Sequence, residues 1–443
     1  MQVHLKTLGC RLNEAELETW AHAFQADGDR IVTSTREADL VVLNSCAVTH
    51  EAVRKSRQAI RRIHRENPTA KLVVSGCYAT LKPEEAARSI GVDLVIGNRE
   101  KNRLVELTKE RLAIENMPSL ATEPAAVALF NRGRQRAFVK VQDGCRYRCT
   151  FCIVTVARGE ERSRSIEEIV NEVNRLHRQG ILEVILTGVH LGGYGSDRGT
   201  DLSRLITAIL EQTDIPRLRL GSLEPWELPE SFFRLFENPR FMPHLHLPLQ
   251  SGSDRILRRM ARRCNTADFA GLIEQARDAV PDINITTDII VGFPGETEDD
   301  WESALAYIER VGFGHIHIFS YSVREGTKAA GMSEQVPAAL KKRRSRQLHE
   351  LAQVMKQKRM RAALGRTFPV LVEGRPMTEA DGSPLYFGYT PNYMRIALPV
   401  PGDHSLENQI RPVRLRSVSD CGDHLLGELA EPDEVDSSFL PMT

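Results

Sequence analysis

Short β-branched runs alternate with amphipathic helical stretches from the start of the chain. VHLKTLGC precedes NEAELETWAHAFQ, DLVVLNSC precedes EAVRKSRQAIRRIH, KLVVSGC precedes KPEEAARSIG, and VDLVIGN ends the series. This alternation predicts a parallel α/β sheet, in which helices carry the chain back between strands. Three of the strands run into a cysteine, at Cys10, Cys46 and Cys77. Ligands of open α/β sheets bind at the carboxyl ends of strands, so these thiols can converge on one site.

From about 114 to 135 the period disappears and Pro, Asn and Gly enter, as in a linker. A second α/β run follows, with strands AFVKVQDG, ILEVILTG, RLRLGSL, HLHLPLQSG, NITTDIIVGF and HIHIFSYS separated by helical patterns. Six β/α units predict a partial barrel whose site lies at the strand carboxyl ends. Residues 338–364 carry a basic amphipathic helix pattern. Beyond Thr367, short strand-like runs punctuated by Gly and Pro predict a small all-β module, and EPDEVDSSFLPMT reads as a loose tail. The expected division is therefore 1–113, a linker over 114–135, 136–365, 366–434, and a tail over 435–443.

Composition agrees with a folded chain: 443 residues imply several domains, and 41% hydrophobic with 27% charged residues is ordinary for globular proteins. The amino terminus lacks a secretory pattern and no apolar run is long enough to cross a bilayer, which predicts a cytoplasmic protein that neither spans a membrane nor is secreted. In a reducing compartment, eight cysteines argue for metal binding, catalysis or burial rather than a disulfide framework. The formal net charge is zero, so any polyanion must be met by a local basic face.

The strongest local signal is Cys145-Arg-Tyr-Arg-Cys149-Thr-Phe-Cys152, just after the strand AFVKVQDG. Iron–sulfur cubes normally take four thiolates. Three neighbouring cysteines leave one iron open to a substrate or cofactor. Structural zinc is the alternative, but it usually takes four ligands, and no companion C-x2-C occurs; Cys264 and Cys421 are far off in sequence and read as ordinary cysteines.

The triplet at the end of the first barrel strand resembles the radical S-adenosylmethionine (SAM) superfamily, and Phe151 before the last cysteine fits that habit. The resemblance narrows to the methylthiotransferases through DGCRYRCTFCIVTVARGEERSR, TGVHLGGYGSD, HLHLPLQSGSDRILRRMAR, DIIVGFPGETEDDW and FSYSVREGTKAA, together with GCRLNEAE, NSCAVTHEAVRKSRQ and SGCYA near the amino terminus. It covers nearly the whole chain and is nearest to the branch acting on N6-threonylcarbamoyladenosine. Thr155 departs from the proline common at that position. The resemblance implies a SAM-binding [4Fe–4S] cluster on Cys145, Cys149 and Cys152, where reductive cleavage of SAM gives a 5′-deoxyadenosyl radical. It also implies an auxiliary [4Fe–4S] cluster on Cys10, Cys46 and Cys77 that carries sulfur, for which buried cysteines are the plain alternative.

Thr187, Gly188, Ser222, Gln250 and Asp288 stand at strand ends where such a barrel contacts SAM, although turn chemistry accounts for the same residue types. Gly292-Phe-Pro-Gly295 reads equally as a tight turn. On the helix after Cys46, Val53, Ser56, Ile60 and Ile63 form an apolar stripe among Arg54, Lys55, Arg57, Arg61, Arg62 and Arg65. On the 338–364 helix, Arg343, Arg344, Arg346, Lys356 and Arg359 are candidate RNA contacts; both basic faces are also compatible with simple solvation. The all-β module resembles the RNA-binding TRAM domain, with Tyr386, Phe387, Tyr389, Tyr393 and Arg395 either stacking on bases or filling its core.

The fold class expected is α/β: an amino-terminal parallel α/β domain, a central partial (β/α)6 radical SAM barrel and a small all-β TRAM-like barrel. The implied reaction adds a methylthio group to C2 of N6-threonylcarbamoyladenosine at position 37, in the anticodon stem-loop of tRNA. The implied partners are tRNA, a reductant and a sulfur source, with no membrane and no DNA. Other branches act on isopentenyladenosine in tRNA or on an aspartate of a ribosomal protein. A non-catalytic iron–sulfur RNA-binding or electron-transfer protein is the alternative from another class, and such carriers usually complete a cluster with four cysteines.

Overall fold

Residues 1–113, 135–378, 384–399, 405–436 and 439 are described by the computed structural model, so the expected linker lies, but for Gln135, outside the described residues. Strands β1 (Gln2–Thr7), β2 (Arg30–Ile31), β3 (Leu40–Ser45), β4 (Lys71–Gly76) and β5 (Leu94–Ile96) form a parallel sheet in the order β2-β1-β3-β4-β5. Strand β3 is buried at every residue, as a central parallel strand covered on both faces must be.

Helices α1 (Arg11–Ala26), α2 (His50–Glu66), α3 (Cys77–Leu81), α4 (Pro83–Ala87) and α5 (Leu104–Arg111) complete this unit. Leu17, Trp20 and Phe24 of α1 pack with Leu104 and Leu107 of α5 on one sheet face, while Ile60 and Ile63 of α2 pack on the other. Thr49 caps α2 by accepting the Ala52 amide hydrogen through Oγ1. The stripe of α2 is close to its sequence pattern: Ser56, Ile60 and Ile63 are buried, Val53 is half-buried, and Ala59 joins them.

In the central unit, β6 (Arg136–Lys140) is followed by the short ribbon of β7 (Gln142–Asp143) and β8 (Arg162–Ser163), then by β9 (Glu183–Thr187), β10 (Arg217–Leu220), β11 (His244–His246), β12 (Asn284–Val291) and β13 (His315–Ser320). These make two parallel three-stranded sheets, β10-β9-β6 and β11-β12-β13. Parallel bridges at Leu218–Phe241 and Ser222–His246 join them into a six-stranded partial barrel. Helices α6 (Val154–Arg158), α7 (Ile166–Arg178), α8 (Leu202–Gln212), α9 (Asp254–Arg259), α10 (Thr266–Ala279) and α11 (Glu298–Val311) lie between the strands, with a 3-10 helix (Glu230–Glu237) making the β10–β11 crossing, and α12 (Ala338–Ala362) follows. Reciprocal capping boxes at Ser165/Glu168 and Thr297/Asp300 start α7 and α11.

The last unit is a closed five-stranded barrel: β14 (Thr367–Thr378), β15 (Pro384–Tyr389), β16 (Arg395–Pro399), β17 (Gln409–Val418) and β18 (Leu425–Leu429), in the order β14-β15-β16-β18-β17. Phe368, Val370, Tyr386, Ile396 and Val413 fill it. Of the tail expected to be loose, the described residues are held at two points. Asp436 pairs with Arg366 at 2.6 Å and Phe439 packs on Phe368, so an ion pair and an aromatic contact tie it down. Among the described residues, no helix is long and apolar enough to cross a membrane.

Candidate functional site

The cysteines at the strand ends face the same space as the C-x3-C-x2-C loop. One cavity of about 1120 Å³ is lined by Cys10, Cys46 and Cys77 from the amino-terminal sheet and by Cys145, Cys149 and Cys152 from the central barrel. Cys264 lies in the central core and Cys421 on an exposed turn of the last barrel; neither lines the cavity.

Local backbone explains the placement. Gly9 precedes Cys10 at φ +101°, where a Cβ would come within 2.6 Å of Cys46 Sγ, so only glycine lets the two cysteine loops approach. Gly144, before Cys145, has φ +75° and lies against the Glu160 carbonyl. Ser56 of α2 holds the Cys46 backbone from both sides, its Oγ accepting from the amide at 3.1 Å and donating to the carbonyl at 2.9 Å. The Cys152 amide donates to the Cys149 carbonyl at 3.0 Å, closing the second loop.

Burial pushes the Cys46 thiol up to about 11 and the Cys145 thiol up to about 12, and it raises those of Cys10 and Cys152 as well. Protonated thiols do not ligate metal, so such sites become thiolates only when an ion's charge replaces the protons. Donors already point at the sulfurs. Asn98 Nδ2 is 3.8 Å from Cys77 Sγ, Arg262 Nη1 is 3.8 Å from Cys149 Sγ, and the Tyr147 amide donates to Cys145 Sγ at 3.4 Å. Two sets of three thiols, neither with a fourth cysteine in the cavity, fit iron–sulfur cubes that each keep one iron open.

Between the triads runs a buried charge network absent from the sequence reading. Arg158 donates to Glu16 at 2.9 Å, to Asp143 at 3.0 Å and to Asn13 Oδ1 at 2.9 Å. Asn13 reaches the Leu8 carbonyl at 2.8 Å and the Ser45 carbonyl at 3.3 Å, and Lys101 pairs with Glu16 at 2.5 Å. The available signal was polar Asn13 and Glu16 on a helix face otherwise made of Leu12, Leu17 and Trp20. Beside the other triad, His190 lies 3.4 Å from Glu227 and also bonds Glu161. Burial opposes its protonation, but Glu227, Glu224 and Glu161 hold its pKa above the usual value. Glu224, also missed, lines the cavity; its Oε2 is 3.8 Å from His190 Nε2 but has no hydrogen-bond partner among the described residues, and burial raises its pKa.

Thr187, Gly188, Ser222, Gln250 and Asp288 all line this cavity: Thr187 ends β9, Gly188 and Ser222 lie just beyond β9 and β10, Gln250 lies in the loop after β11, and Asp288 sits within β12 rather than at its end. Gln250 has φ +78°, and its amide donates to the Asp288 carbonyl at 2.8 Å; the Asp288 side chain meets His246 Nε2 at 3.1 Å. Gly292 and Gly295 form a turn with positive φ, packed on Lys341 and Arg259 outside the cavity lining.

The basic candidates divide. Arg343 and Arg346 are exposed, the former paired with Glu298 at 2.7 Å. Lys356 and Arg359 line the cavity; Lys356 meets Asp423 at 3.0 Å, and Arg359 donates to the carbonyls of Asp282 and Ile283. Arg344 departs from expectation. It is 1% exposed, bonded to Glu296 and Glu298 at 2.8 Å each, and so anchors α12 rather than facing a ligand. On α2 the six basic side chains are exposed, and Arg61 and Arg65 have no ion-pair partner among the described residues.

Of the aromatic candidates, Tyr386 is core. Tyr389 and Tyr393 stack on each other with centroids 4.8 Å apart and line the cavity, with Arg136 over both rings. Arg395 also lines it and lies 4.3 Å over the Phe387 ring. The last barrel therefore contributes one wall.

A family model described as the radical SAM superfamily matches residues 139–308, and one described as uncharacterized protein family UPF0004 matches residues 2–97. The threonylcarbamoyladenosine tRNA methylthiotransferase MtaB of Thermotoga maritima is 36% identical over 84% of this chain and 86% of its own length. The protein of that name from Chlamydia pneumoniae is 36% identical over 96% and 97%. A tRNA-2-methylthio-N(6)-dimethylallyladenosine synthase of Bacillus licheniformis is 34% identical over 87% and 78%. Among solved structures, the radical SAM methyltransferase TsrM of Kitasatospora setae superposes with a TM-score of 0.55 at 16% identity, over 74% of this chain and 77% of its own, a likeness of fold.

Proposed function

The chain belongs to the radical SAM methylthiotransferase family, and from that premise we propose that it adds a methylthio group to C2 of N6-threonylcarbamoyladenosine beside the anticodon of tRNA, giving 2-methylthio-N6-threonylcarbamoyladenosine. When bound, SAM and the family's two [4Fe–4S] clusters supply the electron, the radical cleavage and the sulfur.

The observation that carries this reading is the opening of two separate cysteine triads onto one cavity. Cys145, Cys149 and Cys152 hold the SAM-binding cluster; Cys10, Cys46 and Cys77 hold the auxiliary one. Thr187, Gly188, Ser222, Gln250 and Asp288 orient SAM from the barrel wall of this cavity. The C2–H bond of adenine is neither acidic nor attached to a leaving group, so acid–base groups alone cannot replace it. What the protein must do is hold SAM, sulfur and base together out of water.

The cavity exceeds the usual 300–1,000 Å³ of a small-molecule site, which suits a cofactor and a nucleotide together. Lys356, Arg359, Tyr389, Tyr393 and Arg395 on its walls supply cations and rings for a splayed anticodon loop. Exposed Arg343 and Arg346, with Arg61 and Arg65, meet phosphates farther out. The threonylcarbamoyl substrate rests on the names of the T. maritima and C. pneumoniae relatives. The similarity to the dimethylallyladenosine synthase supports isopentenyladenosine as the second reading.

The test is anaerobic incubation of cluster-loaded protein with SAM, dithionite, sulfide and tRNA carrying one or the other modified adenosine, followed by nucleoside mass spectrometry. Methylthiolation of the threonylcarbamoyl substrate is expected. Conversion of the isopentenyl substrate alone establishes the second reading.

A further inference from the structure

The loop after β13 sends one arginine back to the amino-terminal triad. Arg324 is 8% exposed, and its Nε donates to the Val48 carbonyl at 3.0 Å, two residues beyond Cys46. Its Nη2 is buried without a hydrogen-bond partner, and no carboxylate lies within ion-pair distance among the described residues. The side chain lines the cavity together with Cys10, Cys46 and Cys77.

Every other buried arginine among the described residues has a carboxylate within ion-pair distance. Arg158 has Glu16 and Asp143, Arg344 has Glu296 and Glu298, and Arg219 and Arg217 share Glu183, with Arg217 also donating to the carbonyls of Tyr389 and Pro369. A guanidinium keeps its charge under any ordinary condition, and burying it unpaired is costly unless a negative ligand completes it. Burial weakens the guanidinium's hold on its proton, and the Cys46 thiol on the same cavity, itself kept protonated by burial, supplies no charge to offset that. An anion seated between Arg324 and the triad would satisfy both the free N–H and the charge.

We propose that Arg324 binds the transferable sulfur as a small anion, hydrosulfide or methanethiolate, beside Cys46. The inference rests on the auxiliary-cluster reading of Cys10, Cys46 and Cys77, and it adds a protein cation to the sulfur's surroundings. A guanidinium N–H donated to the sulfur holds the anion in the cavity and keeps it from leaving as the neutral, volatile thiol.

Methanethiolate is the probe. Reduced holoprotein is titrated with it, and the electron paramagnetic resonance signal of the auxiliary cluster is followed in wild type, R324M and R324K at matched iron content. R324M should raise the half-saturating concentration about tenfold or more, a loss of roughly 1.4 kcal/mol of binding, and R324K should recover part of it. Equal half-saturation in wild type and R324M overturns the proposal. So does an unchanged thiolate titration with weaker binding of a threonylcarbamoylated, but not an unmodified, anticodon stem-loop, which gives Arg324 to the substrate's carboxylate. If R324M does not keep its iron, R324Q takes its place: a tenfold or greater weakening in R324Q that R324K partly reverses supports the charge, and equal half-saturation in wild type and R324Q rejects it. A wild-type signal indifferent to methanethiolate sinks the auxiliary-cluster reading itself.

Discussion

Arg158 donates to Glu16 across 2.9 Å, with both side chains 2% exposed, and so ties the helix that follows Cys10 to the helix that follows Cys152. The charges of Glu16 and Asp143 hold the Arg158 proton more tightly than usual against the effect of burial. Removing one partner of a buried pair costs about 3–5 kcal/mol because the other charge is stranded. Arg158→Met should therefore lower the thermal midpoint, and it should depress tRNA methylthiolation more than 5′-deoxyadenosine formation, because it loosens one triad from the other. Calorimetry and product analysis on one preparation check both; equal loss of the two activities contradicts a bridging role.

Cys149→Ala should remove about half of the iron and all reductive cleavage of SAM. Cys145 and Cys152 alone leave too few thiolates for the second cube, while the amino-terminal triad is untouched. Iron analysis and chromatography for 5′-deoxyadenosine measure this, and retained 5′-deoxyadenosine sinks the assignment.

The Cys145, Cys149 and Cys152 triplet was legible in sequence because its spacing is local, and Cys10, Cys46 and Cys77 because each follows a strand. The network between them was not: Arg158 and Glu16 are separated by 142 positions, and an ion pair across such a distance leaves no periodic mark. Arg344 was misread for a related reason. Helical patterning counts it on a basic face, but Glu296 and Glu298, brought alongside by the turn after β12, make it a buried anchor. The barrel strands were readable from alternation, whereas the docking of Asp436 and Phe439 depends on partners some seventy residues upstream.

That distinction has a measurable consequence on α12. Arg343→Ala with Arg346→Ala should weaken tRNA binding and reduce the slope of log Kd against log salt by about 1–2, since each lost phosphate contact removes a counterion-release contribution. Arg344→Ala should instead destabilise the fold by about 1–3 kcal/mol by leaving Glu296 without its hydrogen-bond partner; burial already raises the Glu296 pKa to about 7 against the pull of Arg344, so the lone carboxyl takes a proton. Filter binding at several salt concentrations and chemical denaturation separate the two; an unchanged salt slope in the double variant makes that face merely solvated.

Glu183 carries the pH dependence most open to test. Burial alone would raise its pKa, but Arg219, Arg136 and Arg217 reverse that and hold it at about 2, against a usual 4.5. A depressed carboxylate contributes stability that is present above pH 4.5 and lost as pH falls toward 2. The contribution is about 3 kcal/mol at neutral pH. Glu183→Gln should lose about that much at pH 7, and the gap from wild type should narrow below pH 4.5. Urea unfolding of the cluster-free protein, which keeps acid-labile iron out of the comparison, reads it; a gap that is constant from pH 7 to 3 contradicts the assigned charge pairing.

The central claim is that two functionally distinct cysteine triads share one cavity, and Cys46→Ala tests it most directly. The variant keeps Cys145, Cys149 and Cys152, so reductive cleavage of SAM should continue while the methylthio group on tRNA disappears. Iron content, 5′-deoxyadenosine and modified nucleoside are to be measured on the same preparation. The account predicts about half the iron, continued 5′-deoxyadenosine formation and no methylthiolated product; methylthiolation at the wild-type level by folded Cys46→Ala protein would contradict it.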